Sequence, residues 1–153
     1  IRSVGARPAL YMVWPPADRP EDFCAARAAY QDAASAVDGA FIPAGSAWQD
    51  ALQRDAALPL YDPDGIHPAP LGTWLAAITI YDVLSGHDGR RLAPQAVVEG
   101  VKLDLPASTV QLLQELAYVA TSGAGSAGGD DLCRADPAPR GLRRLRLEGS
   151  EGN

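Results

Sequence analysis

The first third of the chain combines short, continuous apolar runs with a helical pattern between them. Residues 9–14 are an unbroken apolar run after Pro8, which is typical of a strand covered on both faces of a parallel sheet. Residues 40–43 predict a second short strand. Between them, apolar residues recur at a spacing of seven and predict one helix face: Phe23, Tyr30 and Val37. This order predicts two parallel strands joined by a crossover helix that begins near Asp18.

The pattern after residue 46 predicts three further helices separated by loops. Residues 47–54 form the first of them, with Ser46 as its N-cap. Residues 71–84 are apolar nearly all round, so this helix should be buried. Residues 86–107 predict irregular structure, and a last helix begins at Ser108.

Composition and charge narrow the class of protein. A chain of 153 residues is long enough for one domain with a core, and no apolar run is long enough to predict a membrane span. Residues 1–122 hold eight basic and fourteen acidic side chains, a net charge of −6, which argues against nucleic acid as a partner. Residues 123–153 are rich in Gly and Arg and predict a disordered tail.

The two cysteines do not form a disulfide framework. Cys24 lies in the first predicted helix among alanines, which favours a place in the core, and Cys133 lies in the predicted tail. A bond between them is an open alternative that the pattern does not favour.

The loop of residues 56–70 carries the candidate chemistry of the chain. Asp64 precedes His67 by three residues, Gly65 permits a tight turn between them, and Pro68 pushes the histidine backbone toward an extended conformation. A carboxylate that orients an imidazole is half of a nucleophile-activating relay. The alternative is that Asp64 caps the following turn and His67 is a surface residue. A metal site is disfavoured, because no second His or Cys is near in sequence.

Other residues offer weaker candidates for chemistry. Ser46 follows a predicted strand, where nucleophiles often lie, but a helix cap is the better interpretation. Trp48 and Trp74 could line a ligand cleft, although aromatic residues at helical positions more often pack in a core. His87 occupies a helix-terminating turn, and its neighbours in sequence suggest no partner for it.

The loop and the helix after it present residues in a characteristic order: Leu60-Tyr61-x-x-Asp64-Gly65-x-His67-Pro68-x-x-x-Gly72-x-Trp74-Leu75-Ala76-Ala77. This run resembles the last conserved block of the SGNH (GDSL-type) hydrolases, in which Asp-x-x-His supplies the acid and the base. The preceding strand, helix and strand resemble the stretch that leads into this block. The resemblance covers about residues 5–122.

The resemblance implies a fold, a reaction and site residues. The fold is an α/β flavodoxin-like fold, a three-layer α/β/α sandwich on a five-stranded parallel sheet, and residues 1–122 would be part of it. The reaction is hydrolysis of a small-molecule ester, acylated carbohydrates among them, through an acyl-serine and without a cofactor or metal. Asp64 and His67 would be catalytic, and Trp48 and Ile66 would line the substrate cleft. The family favours a secreted or periplasmic location.

The chain departs from the family pattern because it has no Gly-Asp-Ser block and no Gly-x-Asn-Asp block. We therefore expect a C-terminal portion of the domain, with about two strands and four helices, which is inactive by itself. Two alternatives remain open. One is a non-catalytic SGNH-like binding or interaction domain, and the other is a triad of Ser46, His67 and Asp64 within this chain.

Overall fold

The computed structural model describes residues 1–123 and Cys133, and within them the chain adopts a mixed α/β fold. The elements are, in order, β1 (Ala9–Tyr11), α1 (Phe23–Ala36), β2 (Ala40–Ile42), α2 (Ala44–Arg54), α3 (Pro70–Ser85), β3 (Val97–Val98), β4 (Val101–Lys102) and α4 (Ala107–Thr121). Short 3₁₀ turns lie at Arg2–Val4, Pro20–Asp22 and Gly89–Arg91. The mixed α/β class is confirmed. The predicted tail, apart from Gly123 and Cys133, lies outside the described residues.

The parallel pairing of the first two strands is confirmed. β1 pairs with β2 in parallel, with Leu10 opposite Phe41. The ladder continues past β1, where the Met12 amide donates to the Ile42 carbonyl at 2.9 Å. Each strand has only three residues, so this sheet is a small part of the buried structure.

The second helix begins three residues earlier than its sequence pattern predicts, so Ser46 lies inside it and is not its cap. α2 starts at Ala44, directly after Pro43. The Gly45 amide donates to the Met12 carbonyl at 2.9 Å. A Cβ at Gly45 would lie 2.7 Å from the Val13 carbonyl oxygen, so only glycine allows the helix to begin this close to β1.

The region between α3 and α4 contains an antiparallel strand pair that the sequence pattern does not predict. β3 and β4 pair antiparallel, with Val98 opposite Val101. The two residues between them, Glu99 and Gly100, both have positive φ angles, 51° and 78°, which suits a two-residue hairpin turn. The sequence pattern of this strand pair is weak, because each strand has only two residues.

The core lies where α2, α3 and α4 meet. Its largest fully buried side chains include Trp48, Leu60, Leu75 and Leu113. α3 approaches α2 closely at Gly72, where a Cβ would lie only 2.2 Å from the ring of Trp48. Among the described helices, none is both long and apolar enough to cross a membrane.

A disulfide joins Cys24 in α1 to Cys133, and the described residues include no free cysteine. The two cysteines are 109 residues apart in sequence, and their Cα atoms are 5.3 Å apart. Cys24 is therefore a partly exposed, cross-linked position and not the core residue that its alanine-rich neighbours suggest.

Loss of this disulfide should destabilise the fold, because the bond restricts the unfolded chain over a long loop. We expect the Cys24→Ser, Cys133→Ser double variant to lose about 2–4 kcal/mol of unfolding free energy. Urea denaturation of the oxidised protein and the double variant measures the difference. The double variant with and without a reducing agent is the control and should give one curve. Mass spectrometry that finds two alkylated thiols in the untreated protein would contradict the expectation.

Candidate active site

The loop that carries Asp64 and His67 is a narrow, hydrogen-bonded turn between α2 and α3. The Asp62 amide donates to the His67 carbonyl at 2.9 Å, and the Ala69 amide donates to the Leu60 carbonyl at 2.8 Å. Gly65 has a φ of 69°, a left-handed conformation that favours glycine at the tip of the turn. These backbone hydrogen bonds fix the two ends of the loop and so hold the side chains at its tip in place.

The loop is also held against the segment that follows β1. The Ala17 amide donates to the Gly65 carbonyl at 2.8 Å, and the Trp14 indole Nε1–H donates to the Ile66 carbonyl at 3.2 Å. The Tyr61 hydroxyl donates to the Pro15 carbonyl at 2.7 Å. These bonds place the loop beyond the carboxyl end of β1. Ligands of open α/β sheets bind outside the carboxyl ends of the strands.

Asp64 uses its two carboxylate oxygens for two separate purposes. Oδ1 accepts hydrogen bonds from the Ile66 amide at 2.9 Å and from the His67 amide at 3.0 Å, which closes the turn. Oδ2 lies 2.5 Å from Nδ1 of His67. The turn cap and the acid–imidazole pair therefore occur together in one side chain. The sequence had posed them as alternatives.

The second ring nitrogen of His67, Nε2, belongs to a largely exposed side chain. The His67 side chain is 73% exposed, and no described residue is hydrogen-bonded to its Nε2. Because Nδ1 contacts the carboxylate, the neutral imidazole would keep its proton on Nδ1 and present Nε2 as the acceptor. This is the orientation that a general base needs.

The hydrogen bond between the two side chains shifts the pKa of each. The bond to His67, together with the amides of Ile66 and His67, lowers the pKa of Asp64 to about 2. The same bond and the negative charge of Asp64 raise the pKa of His67 above its ordinary value. The carboxylate is therefore ionised at neutral pH, and it favours the imidazolium that forms when His67 takes up a proton.

Two of the other candidate residues, Ser46 and Cys24, have partners elsewhere in the fold. The Ser46 hydroxyl donates to the Met12 sulfur at 3.6 Å in a buried position, and Cys24 is part of a disulfide. Trp48 is fully buried, which does not fit a residue that lines an open cleft, whereas Ile66 is 57% exposed beside the pair. Within the described residues, no cluster of three His, Cys, Asp or Glu side chains could hold a metal ion.

An aromatic cluster of Trp14, Trp48 and Tyr61 packs at the loop, and the sequence pattern did not predict it. Trp48 stacks on Trp14 with ring centroids 3.7 Å apart, and it meets Tyr61 edge to face at 5.0 Å. Trp14 and Tyr61 are also the side chains that donate hydrogen bonds between the loop and the segment after β1. No local sequence signal could identify these contacts, because they join three separate segments.

Replacing Asp64 by Asn should lower the pKa of His67 toward its ordinary value, because the substitution removes the charge that favours the imidazolium. NMR titration of the imidazole protons measures this directly. Leu84→Ala, at an exposed position on α3, is the control variant and should leave the His67 titration unchanged. An unchanged His67 curve in Asp64→Asn would show that the pair is not formed in solution.

The geometry of the Asp64–His67 pair is the main guide to the function of this chain. Comparisons with protein families, with curated proteins and with solved structures find no match to this chain.

Proposed function

We propose that this chain is the acid–base portion of a serine ester hydrolase of the SGNH type. The observation that carries the proposal is the 2.5 Å contact between His67 Nδ1 and Asp64 Oδ2 on a loop that leaves Nε2 exposed. The run of residues from Leu60 to Ala77 gives the family. The nucleophilic serine and the oxyanion donors would come from a segment outside this chain, and the domain would be a three-layer α/β/α sandwich.

The roles of the two residues follow from their hydrogen bonds. His67 Nε2 would take the proton of the serine hydroxyl as the serine oxygen forms a bond to the ester carbonyl carbon. The imidazolium would then give this proton to the alcohol oxygen as the bond between carbon and that oxygen breaks. A water molecule, activated by His67 in the same way, would release the acyl group as a carboxylic acid. Asp64 would hold the imidazole in the required tautomer and stabilise its positive charge.

The small size of the parallel sheet supports a larger domain. β1 pairs with β2 on one edge, and no described strand pairs with its other edge. Sheets of two strands are marginally stable, and an exposed strand edge is a template for further pairing. A strand added beside β1 would end near Trp14 and Pro15, the segment that contacts the loop of the pair. A nucleophile at the carboxyl end of that strand would therefore lie at the same end of the sheet as His67.

A second candidate function is a non-catalytic SGNH-like binding or interaction domain. The observation that favours it is that two candidate nucleophiles of the chain are engaged elsewhere, Ser46 with the Met12 sulfur and Cys24 in a disulfide. The two functions differ in whether a nucleophile is present in the complete protein.

Labelling with a fluorophosphonate tests the proposal, because this reagent bonds covalently to activated serines. The 153-residue chain alone should take up no label and should not hydrolyse p-nitrophenyl acetate above background. A longer protein that includes the preceding residues should be labelled on one serine outside this chain, and His67→Ala should abolish the labelling. A longer protein without a labelled serine would favour the binding domain. Hydrolysis by the isolated chain that depends on His67 would reveal a different nucleophile and overturn the assignment of roles.

A further inference from the structure

We infer that an open depression at the C-terminal ends of α3 and α4 binds an alkylammonium group. The depression has a volume of about 510 Å³, and its lining comes from the last turn of α3, the turn after it, the end of α4, and Phe41 of β2. α3 has 16 residues and begins beside the Asp64–His67 loop, so its other end lies about 24 Å from that loop. The depression is therefore separate from the candidate active site and does not depend on the proposed function.

Asp82 supplies the observation that points to a ligand. It is part of the lining and only 7% exposed, and its Oδ1 accepts a hydrogen bond from the Gly89 amide at 2.8 Å. Its Oδ2 is buried, and no described residue donates a hydrogen bond to it. Buried polar atoms in proteins are normally hydrogen-bonded, because an unpaired one loses its hydration without compensation. A hydrogen-bond donor bound in the depression would satisfy this oxygen.

The electrostatic field at the depression favours a cation over a neutral donor. The C-terminal ends of helices leave backbone carbonyls without helical partners, and each end carries about half a negative charge. Neither α3 nor α4 has a basic residue in its last turn to offset this charge. Asp82 and Asp88 add two carboxylates to the lining. Two negative helix ends and two acidic side chains therefore meet in one place.

Arg90 is a described cation in this region, but other groups hold it. Its guanidinium pairs with Asp88 at 2.9 Å and with Glu115 at 3.2 Å, and it lies over the ring of Tyr118, 3.4 Å from the centroid. Burial, and to a smaller extent the charge of Asp88, raises the pKa of Asp82, and Arg90 offsets this only in part. A bound cation would supply the positive charge that the Asp82 carboxylate lacks.

The lining selects an alkylammonium group among the possible cations. An ammonium has three N–H donors, so it can bond to Oδ2 of Asp82 and to carbonyls at the helix ends together. Phe41 offers an aromatic ring to the positive charge and to the alkyl chain. A bare metal ion is disfavoured, because within the described part of the chain no three His, Cys, Asp or Glu side chains could hold one.

NMR titration of the 153-residue chain with n-butylammonium chloride tests this inference. The amide signals of Val83, Gly86 and Thr121 should shift along saturable curves. Sodium butyrate, which has a similar alkyl chain and the opposite charge, and sodium chloride at the same ionic strength should produce no saturable shift. Equal shifts with the three salts, or butylammonium shifts that fall elsewhere, would overturn the inference.

Substitutions in the lining give matched variants. Asp82→Asn keeps an oxygen for the Gly89 amide and removes the charge, so it should weaken butylammonium binding by about tenfold or more. Phe41→Leu removes the ring but keeps an apolar side chain, and should weaken binding by about two- to fivefold. Asp18→Asn, the same change at an exposed position before α1, should bind like the parent protein. Parent-like binding in either Asp82→Asn or Phe41→Leu would contradict the assigned site.

N-acetyl-lysine amide distinguishes two sources of the ligand, because it carries the same ammonium group on a protein side chain. Tighter binding than that of butylammonium would identify the ligand as a lysine of a protein partner. Equal or weaker binding would identify it as a free small amine. Both results support the ammonium site, whereas no saturable shift with either probe would refute it.

Discussion

Under the proposed function, replacing His67 by Ala in the longer protein should lower kcat by a factor of about 10⁴–10⁶. The substitution removes the group that would take the serine proton, and among the described residues no other imidazole faces this loop. His87, the second histidine of the chain, lies near Tyr81 at the far end of α3. Because the His67 side chain is 73% exposed, its removal leaves no cavity and should not unfold the protein. Hydrolysis of p-nitrophenyl acetate, with circular dichroism as the folding check, measures the effect.

Two substitutions of Asp64 separate its proposed catalytic role from its structural role as a turn cap. In Asp64→Asn, the amide oxygen can still accept hydrogen bonds from the Ile66 and His67 amides, so the turn should persist. The rate should nevertheless fall by about 10⁴, since the asparagine cannot stabilise the imidazolium and favours the wrong tautomer. Asp64→Ala removes both the oxygen that contacts the imidazole and the oxygen that caps the turn. His87→Ala is the control and should keep the parent rate. If Asp64→Asn has the same rate as the parent protein, Asp64 serves only as a turn cap.

Under the proposed function, the pH dependence of ester hydrolysis should follow the shifted pKa of His67. A general base acts in its unprotonated form, so the rate should rise as the pH increases through the pKa of His67. The bond to Asp64 raises this pKa above its ordinary value, so the rise should come at a higher pH than for an isolated histidine.

The sequence could predict the candidate pair because its signals are local. Asp64, Gly65, His67 and Pro68 lie within five residues, and each has a known effect on the backbone of a turn. The strand–helix–strand order was equally accessible, since continuous apolar runs and a helical period differ clearly. Gly72 permits close packing of α3, because the ring of Trp48 occupies the space where a Cβ would lie.

Other features depend on contacts between distant segments, which no local pattern encodes. α2 begins at Ala44 because Gly45 bonds to Met12, a contact across more than thirty residues. The disulfide joins positions 109 residues apart, and the local setting of Cys24 suggested core packing instead. Trp48 could have been a cleft residue or a core residue, and its burial was decided by Trp14 and Tyr61 from two other segments.

Trp48→Ala should destabilise the fold by about 3–5 kcal/mol, the largest stability loss that we expect from a single substitution. Trp48 is fully buried, stacks on Trp14, and fills the space that Gly72 leaves open between α2 and α3. Its removal leaves a cavity between α2 and α3, beside Tyr61 of the Asp64–His67 loop. Urea denaturation measures the loss as a lower midpoint with an unchanged slope.

Two control variants show whether the loss comes from this packing. Trp48→Phe keeps an aromatic ring against Trp14 and should lose clearly less stability than Trp48→Ala. Leu84→Ala, at an exposed position of α3, should change the unfolding free energy by less than about 0.5 kcal/mol. In Trp48→Ala, the loosened support of Tyr61 should also weaken the Asp64–His67 bond, so the titration midpoint of His67 should fall. A stable Trp48→Ala variant with an unchanged His67 titration would mean that the aromatic cluster does not hold the loop in place.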